Sequence, residues 1–393
     1  MRQFLSEYLL PLIIAFAVFM GLILNNALDH FFKAPPASAQ NKSAVYAYTL
    51  VSSPAIADRL LMSGDSSDQI FLFGSSELTG ADGSWPYHFI SDRFATKVIG
   101  VGHAGNQCFS IFTQLLANKE RLKDAPIVIM VSPTWFQGKD ALGTSSQVFL
   151  EFVNEQFLRK ITNSEASGFK QYFGKRLAEM YDDFTSPSLA LKGCYYDYQA
   201  SKSIFHQPIY GSFTLMDRLL ESLKSDSAQI SDKSYSRKKI NPDQVSLNWD
   251  SLFRSSKEQQ LKLATNNSWG VNNEYYSTFV NGKHSEVNVV SDAENIELAD
   301  FCMMVKLLRH YNANASFVIA PMNPYFYSGM DRLETVINQI RTQISSNRFA
   351  CLDMWVSDTT NYEKGLLRDV MHIGPYGWYK IDRFIIENYR LNK

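Results

Sequence analysis

A short apolar run that breaks abruptly into a glycine and two serines constrains the fold of this chain more than any other stretch. The run covers residues 70–73, and Gly74, Ser75 and Ser76 follow it directly. An apolar run of this length predicts one buried strand, and the polar residues after it predict a sharp turn into helix-compatible sequence. Such a turn presents a side chain at the carboxyl edge of a sheet, close to backbone N–H groups that stabilise an oxyanion. The stretch suits a nucleophilic serine, and a serine that only caps a helix fits the same pattern.

The composition predicts a globular protein without a nucleic-acid partner. The chain has 393 residues, of which 45% are hydrophobic, so it has ample apolar material for a core. Lys plus Arg total 38 and Asp plus Glu 39, and this balance gives no global attraction for a polyanion. The four cysteines show neither a CxxC pair nor zinc spacing, so we predict no metal and mostly free thiols, with one disulfide left open. They are Cys108, Cys194, Cys302 and Cys351.

The amino-terminal residues predict a membrane anchor. Residues 9–24 are almost wholly apolar, and no charged residue occurs between Glu7 and Asp29. With its flanks, this run is long enough to cross a bilayer as a helix. We therefore expect an anchor at 1–30, a proline-containing linker at 31–45 and a soluble portion outside the cytoplasm. A cleaved signal peptide is the competing interpretation, because residues 37–39 (ASA) have the pattern of a cleavage site.

Further apolar runs indicate an α/β fold with a parallel sheet flanked by helices. The predicted strands after the first lie at 96–101, 127–131, 316–320 and 350–353, and the clearest helices between them at 296–311 and 331–346. Strands that end in turn-rich segments and alternate with helices are typical of parallel sheets, whose ligand sites lie at the carboxyl edge. We expect one such domain at 46–393, with a helical insertion at about 138–293.

An aspartate and a histidine near the carboxyl end complete a catalytic pattern. Asp369 lies three residues before His372, so both side chains can share one face of a turn. The carboxylate can then hold one imidazole nitrogen and leave the other for a serine hydroxyl. Together with Ser76, these residues are predicted to form a Ser-His-Asp triad. No second histidine or carboxylate lies at ligand spacing beside them, and no cofactor is expected.

Five short motifs in the same order resemble those of a known family. They are GSSE at 74–77, the loop at 102–106, SPTWF at 132–136, Pro-x-Asn at 321–323 and DxxHxGxxGW at 369–378. The first, second, third and last follow the sequence blocks of the SGNH (GDSL-like) hydrolase superfamily. With the anchor and the Pro-x-Asn motif, the set more closely resembles the DltD family, the D-alanyl transfer proteins of Gram-positive lipoteichoic acid D-alanylation.

The resemblance implies a membrane-anchored, extracellular α/β domain of the flavodoxin-like, three-layer SGNH type, with Ser76, Asp369 and His372 as its triad. Two departures from the hydrolase pattern matter. Gly-Ser-Ser replaces Gly-Asp-Ser, so Ser75 is an alternative nucleophile. Thr134 stands where hydrolases carry an oxyanion-binding asparagine and where the family pattern leads us to expect glutamine. The remaining expected oxyanion or substrate contacts are Gly102, Trp135, Asn323 and Trp378.

Two functions of different classes follow from these observations. In the first, the protein is a serine acyltransferase or esterase acting on D-alanyl esters of lipoteichoic acid, a polyglycerolphosphate. In the second, it is a non-catalytic membrane-tethered scaffold. The resemblance implies a D-alanyl carrier protein and a membrane-bound O-acyltransferase as partners in either case. A polysaccharide O-acetyl transferase or esterase is the alternative within the enzyme class, because the same triad serves any ester.

Overall fold

The computed structural model describes residues 69–78, 83–94, 96–223 and 247–391 of the chain. The predicted anchor at 1–30 and linker at 31–45 lie outside these ranges. Across the described stretches, no helix combines the length and the apolar character needed to span a bilayer.

Strands and helices alternate before residue 132 and after residue 284 of the described chain, and only helices are described between these limits. The strands are β1 (Gln69–Phe73), β2 (Lys97–Val101), β3 (Ile127–Val131), β4 (Ser285–Glu286), β5 (Ala315–Ile319), β6 (Tyr327–Ser328) and β7 (Ala350–Asp353). The α-helices are α1 (Pro86–Phe89), α2 (Cys108–Ala117), α3 (Ser146–Phe152), α4 (Glu155–Thr162), α5 (Gly168–Glu179), α6 (Leu189–Lys202), α7 (Gln207–Leu223), α8 (Trp249–Lys262), α9 (Asn273–Tyr275), α10 (Ile296–His310), α11 (Glu334–Ser346) and α12 (Pro375–Asn388). A π-helical turn, Tyr276–Val280, continues α9.

Five of the strands form one parallel sheet in the order β2-β1-β3-β5-β7. This confirms the predicted parallel α/β sheet, and the predicted strands agree with the observed ones to within a residue. Strands β3 and β5 are buried along their whole length, which is why β3 is a continuous apolar run and Ser316 is the only polar residue of β5. Because Phe73 pairs with Val101 on one side and Ile129 on the other, the turns after β1, β2 and β3 emerge at one edge.

Helices cover both faces of the sheet. On one face, Ile70 and Leu72 of β1 belong to a buried cluster that also contains Trp378 and Ile381 of α12. On the other face, the ring of Phe317 in β5 lies 6.0 Å from that of Phe301 in α10. Helix α10 also meets the start of α2, where the backbone N–H of Cys108 donates to the Glu297 carboxylate over 2.7 Å. The alternation of side chains along each strand supplies both hydrophobic layers.

The described residues divide into two compact units, with 158–223 in one and the remainder in the other. The smaller unit is helical. Inside it, the Arg159 guanidinium makes two hydrogen bonds to the Asp217 carboxylate, of 2.6 and 2.8 Å. Helices α5 and α6 approach so closely at Gly174 that a Cβ there would lie 2.7 Å from the Tyr198 side chain. The whole sheet, and every residue predicted to act in catalysis, belongs to the larger unit.

Candidate active site

The turn after β1 brings a serine hydroxyl to the carboxyl edge of the sheet. Strand β1 ends at Phe73, and a 3₁₀ turn, Ser76–Leu78, begins two residues after Gly74. The half-buried Ser76 hydroxyl lies 3.2 Å from Nε2 of His372. The two residues are 296 positions apart in sequence, so the contact depends entirely on the tertiary fold.

The Asp369 carboxylate holds both the imidazole and the backbone of the turn that carries it. Its Oδ2 lies 2.8 Å from Nδ1 of His372. Its Oδ1 accepts the backbone N–H groups of Met371 and His372 over 2.9 and 2.7 Å. One oxygen therefore fixes the turn while the other orients the ring, so that Nε2 faces Ser76.

The electrostatics of Asp369 favour its charged form. Burial by itself raises the pKa of this carboxyl, whose side chain is only 7% exposed. The hydrogen bond and the charge of His372 and the two backbone N–H donors outweigh burial, and the pKa of Asp369 lies below its ordinary value. Arg368 also lies 3.7 Å from Oδ2, but its side chain is 41% exposed. An ionised Asp369 is the form that stabilises an imidazolium during proton transfer.

Ser75, the alternative nucleophile, is engaged by the loop after β2. Its hydroxyl donates to the His103 carbonyl over 3.2 Å and accepts the Gly105 N–H over 3.1 Å. The residue is buried, with 4% exposure. His372 is within hydrogen-bonding distance of Ser76, whereas Ser75 joins the first two turns of the sheet edge.

The Gly102 loop closes tightly on the carbonyl of Gly74. Gly102 has a φ of +133°, and a Cβ there would lie 2.0 Å from the Gly74 carbonyl oxygen. The buried Asn106 side chain donates to the same oxygen over 2.9 Å. Gly102 therefore lies beside the serine turn, and only glycine fits this approach.

Glu77 belongs to the GSSE motif, but the sequence analysis assigned it no role in the site. Its Oε1 accepts the backbone N–H of Ser75 over 2.8 Å, and a Cβ on Gly74 would lie 2.7 Å from this oxygen. Burial raises the pKa of Glu77 despite hydrogen bonds from backbone N–H groups of the turn. A single acidic residue after two serines belongs to no hydrophobic pattern that would predict its burial. Its position beneath the turn is therefore seen only in the folded chain.

The remaining predicted contacts divide between the edge of the sheet and its interior. Thr134 follows β3 in a 3₁₀ turn, Pro133–Phe136, and its hydroxyl lies 2.8 Å from that of Ser132. Trp135, in the same turn, is buried, with 5% exposure. These two residues thus stand at the predicted edge, and Thr134 offers a hydroxyl where an amide was expected.

Trp378 and Asn323 occupy positions that differ from the sequence expectation of substrate contact. The Trp378 side chain is fully buried in the core, 5.6 Å from the ring of Trp85. Asn323 is also fully buried: its backbone N–H donates to the Val370 carbonyl, and its side chain donates to the Trp269 carbonyl, both over 3.2 Å. Asn323 thus braces the turn that carries Asp369 and His372. Both side chains point into the packed interior, and for this reason they do not match the expectation of substrate contact.

The described part of the chain contains no group of three or more His, Cys, Asp or Glu side chains arranged to hold a metal ion. All four cysteines are free thiols.

Comparison with known proteins places this chain in a family. The family model described as DltD protein matches residues 47–390. The chain belongs to the DltD family. Protein DltD of Staphylococcus aureus is 24% identical over 400 residues, covering 96% of this chain and 95% of the relative. Protein DltD of Bacillus subtilis is 23% identical over 355 residues, covering 82% of each chain. The DltD resemblance drawn from the five motifs is confirmed, and the match takes in Ser76, Asp369 and His372.

Proposed function

We propose that this DltD family member is a serine acyltransferase or esterase that acts on D-alanyl esters in the D-alanylation of lipoteichoic acid. The observation that carries the proposal is the continuous hydrogen-bonded chain from the Ser76 hydroxyl through His372 to Asp369, with distances of 3.2 and 2.8 Å. A nucleophile, a base and a group that orients the base are the parts that acyl transfer requires.

The reaction proceeds in two steps at Ser76. Nε2 of His372 takes the hydroxyl proton while the oxygen attacks the carbonyl carbon of a D-alanyl ester or thioester. The tetrahedral intermediate collapses, His372 returns the proton to the leaving oxygen or sulfur, and the D-alanyl group remains on Ser76 as an ester. A glycerol hydroxyl of teichoic acid, or water, then attacks with His372 again as base, and Ser76 is released.

The turns at the sheet edge supply the groups around the developing oxyanion. The backbone N–H groups of Ser76 and Gly102 and the hydroxyl of Thr134 are the candidate donors. Counting only the strands of the main sheet, their order is 2-1-3-4-5, the doubly wound order in which ligands bind at the switch point beside the first strand. This strand order supports an SGNH-type, flavodoxin-like three-layer fold, in which Ser76 follows the first strand.

Labelling with a serine-directed fluorophosphonate tests the proposal directly. We expect one covalent adduct on the full chain, mapped by peptide mass spectrometry to Ser76, and loss of the adduct in His372→Ala. An adduct on Ser75 would move the nucleophile by one residue. Absence of labelling in the folded protein would favour the alternative function, a membrane-tethered scaffold for the carrier protein and the membrane-bound acyltransferase.

The proposed location follows from the apolar run at 9–24, which the sequence predicts to anchor the chain with its catalytic portion outside the cell. Protease added to intact cells is therefore expected to degrade the portion beyond about residue 35, as followed by an antibody against the carboxyl end. A cytoplasmic protein monitored in the same cells serves as the control for intactness. Protection of the carboxyl end until the membrane is opened would reverse the proposed orientation.

A further inference from the structure

Helix α7 of the smaller unit and the 3₁₀ turn directly before it carry a stripe of exposed, mostly apolar residues. This apolar stripe consists of Phe205, Pro208, Ile209, Ser212 and Met216, all of them exposed. Spacings of i+3, i+4, i+7 and i+11 from the first residue place the five on one helical face. The exposed fractions of Phe205, Ile209 and Met216 are 84%, 39% and 51%. The Ser212 hydroxyl donates to the Pro208 carbonyl over 2.9 Å, so it adds no unpaired donor to the stripe.

The opposite face of α7 packs inside the smaller unit. The Phe213 ring stacks on that of Tyr196, with the centroids 5.2 Å apart. Thr214 faces Gly193 of α6, where an added Cβ would lie 3.7 Å from the Thr214 hydroxyl. A surface helix normally turns polar and charged residues outward. Because α7 is packed on one side and apolar on the other, its outer side suits contact with a second apolar surface.

The acidic residues of α6 and of the adjoining part of α7 are neutralised by ion pairs. Residues 203–216 contain no Asp, Glu, Lys or Arg. The Asp197 carboxylate lies 3.0 Å from the Lys170 ammonium. The Asp217 carboxylate pairs with the Arg159 guanidinium over 2.6 Å. These are the two acids of residues 189–217, so this stretch places no uncompensated negative charge beside the apolar stripe.

Two lysines make the surface beside the apolar stripe positive. The Lys192 ammonium lies 5.6 Å from the centroid of the Phe213 ring, which places it against α7. Lys202 directly precedes the turn that carries Phe205, and its ammonium lies 4.1 Å from the centroid of the Tyr198 ring. Among the described residues, neither ammonium has a carboxylate partner. Apolar residues flanked by such cations match the acyl chains and the anionic headgroups of a bilayer.

We propose that the apolar stripe docks the smaller unit on the surface of an anionic phospholipid bilayer. This inference rests on the proposed location, because an anchor at 1–30 holds the soluble portion over lipid at high effective concentration. The Phe205, Ile209 and Met216 side chains enter the boundary between headgroups and acyl chains, and Lys192 and Lys202 face the lipid phosphates. Docking then limits the orientations that a single anchor and a proline-containing linker leave open to the protein.

Photocrosslinking from within the apolar stripe tests this contact. p-Benzoylphenylalanine replaces Phe205 or Ile209 in the full chain, which is reconstituted in phosphatidylglycerol vesicles, irradiated and analysed by mass spectrometry. We expect lipid adducts at both positions. Gln207 is the matched control, because it is exposed on the same helix but lies about 200° around the axis from Phe205. With the probe at Gln207, we expect a lipid-adduct yield at least about threefold lower, since only one face of an interfacial helix enters the bilayer.

Two outcomes would overturn the proposal. Equal lipid yields at all three positions would show that the adducts reflect only the nearness of the membrane. Adducts confined to protein would assign the apolar stripe to a protein partner or to a second copy of the chain.

Vesicles of different charge test the part that the lysines play. With the probe at Phe205, we expect the lipid-adduct yield to be about threefold or more higher on phosphatidylglycerol than on phosphatidylcholine, because each lysine near an anionic surface is attracted to it. The double variant Lys192→Gln plus Lys202→Gln should remove this difference. Equal yields on the two lipids before the lysines are changed, or a difference that survives the double variant, would overturn the proposed role of anionic lipid.

Sedimentation of the full chain with phosphatidylglycerol vesicles separates this inference from the proposed anchor. We expect the native protein and the triple variant Phe205→Ser, Ile209→Ser and Met216→Ser to sediment alike, because the anchor holds both. Sedimentation of both without lipid adducts at positions 205 and 209 would overturn docking while the anchor stands. Lipid adducts at these positions, together with sedimentation that is lost in the triple variant, would overturn the anchor while docking stands.

Discussion

Replacing Ser76 or His372 by alanine is expected to lower turnover of a D-alanyl or model ester by about a thousandfold or more. The reason is that the members of a hydrogen-bonded triad act as a unit, so the loss of one removes most of the contribution of all three. Steady-state hydrolysis measures this effect, and the Ser76→Ala plus His372→Ala double variant should be little worse than either single variant.

The neighbouring serine is the matched control for this experiment. Ser75→Ala removes a hydroxyl that bonds the His103 and Gly105 backbone rather than His372. The loss of such hydrogen bonds costs about 1 kcal/mol each, or about 2 kcal/mol for the two, so activity should fall about thirtyfold or less. Equal activity in all of these variants and the native protein would favour the scaffold function. If the Ser75→Ala variant is inactive and the Ser76→Ala variant is active, Ser75 is the nucleophile.

The second large effect is expected for Gly102→Ala. A Cβ at this position would lie 2.0 Å from the Gly74 carbonyl oxygen, and a φ of +133° is one that an alanine rarely adopts. Left-handed backbone strain costs about 1–2 kcal/mol and an overpacked contact about 1–3 kcal/mol. We expect a loss of about 3 kcal/mol or more in the free energy of unfolding, measured by urea denaturation, and loss of esterase activity because the serine turn must move.

Two other glycines separate the causes of that effect. Gly138 has a φ of +55° and no atom within 4 Å of an added Cβ, so Gly138→Ala reports backbone strain without the clash. Gly83 has neither feature, and Gly83→Ala should change stability by less than about 0.5 kcal/mol. If Gly102→Ala proves no more destabilising than Gly138→Ala and keeps its activity, the close approach of the two loops is not what shapes the site.

Sequence reasoning was most successful where the information is local. The apolar run of β3 identifies a buried strand because every residue between 127 and 131 faces a hydrophobic layer. The three-residue spacing of Asp369 and His372 is enough to predict that they share a turn, since backbone geometry over one turn is fixed. The order of strands and helices predicts the parallel sheet for a similar reason, because only a few connections join such elements compactly.

The sequence alone therefore determined the α/β class, the five strands of the main sheet, the Asp-His pair and the motifs of the DltD family. The tertiary structure decided which serine faces His372, since residues 296 positions apart meet only through packing. It also decided that Trp378 lies in the core and that Asn323 braces the catalytic turn. The physical reason is that periodicity encodes the faces of strands and helices, whereas the direction of a side chain in a loop depends on contacts with distant segments.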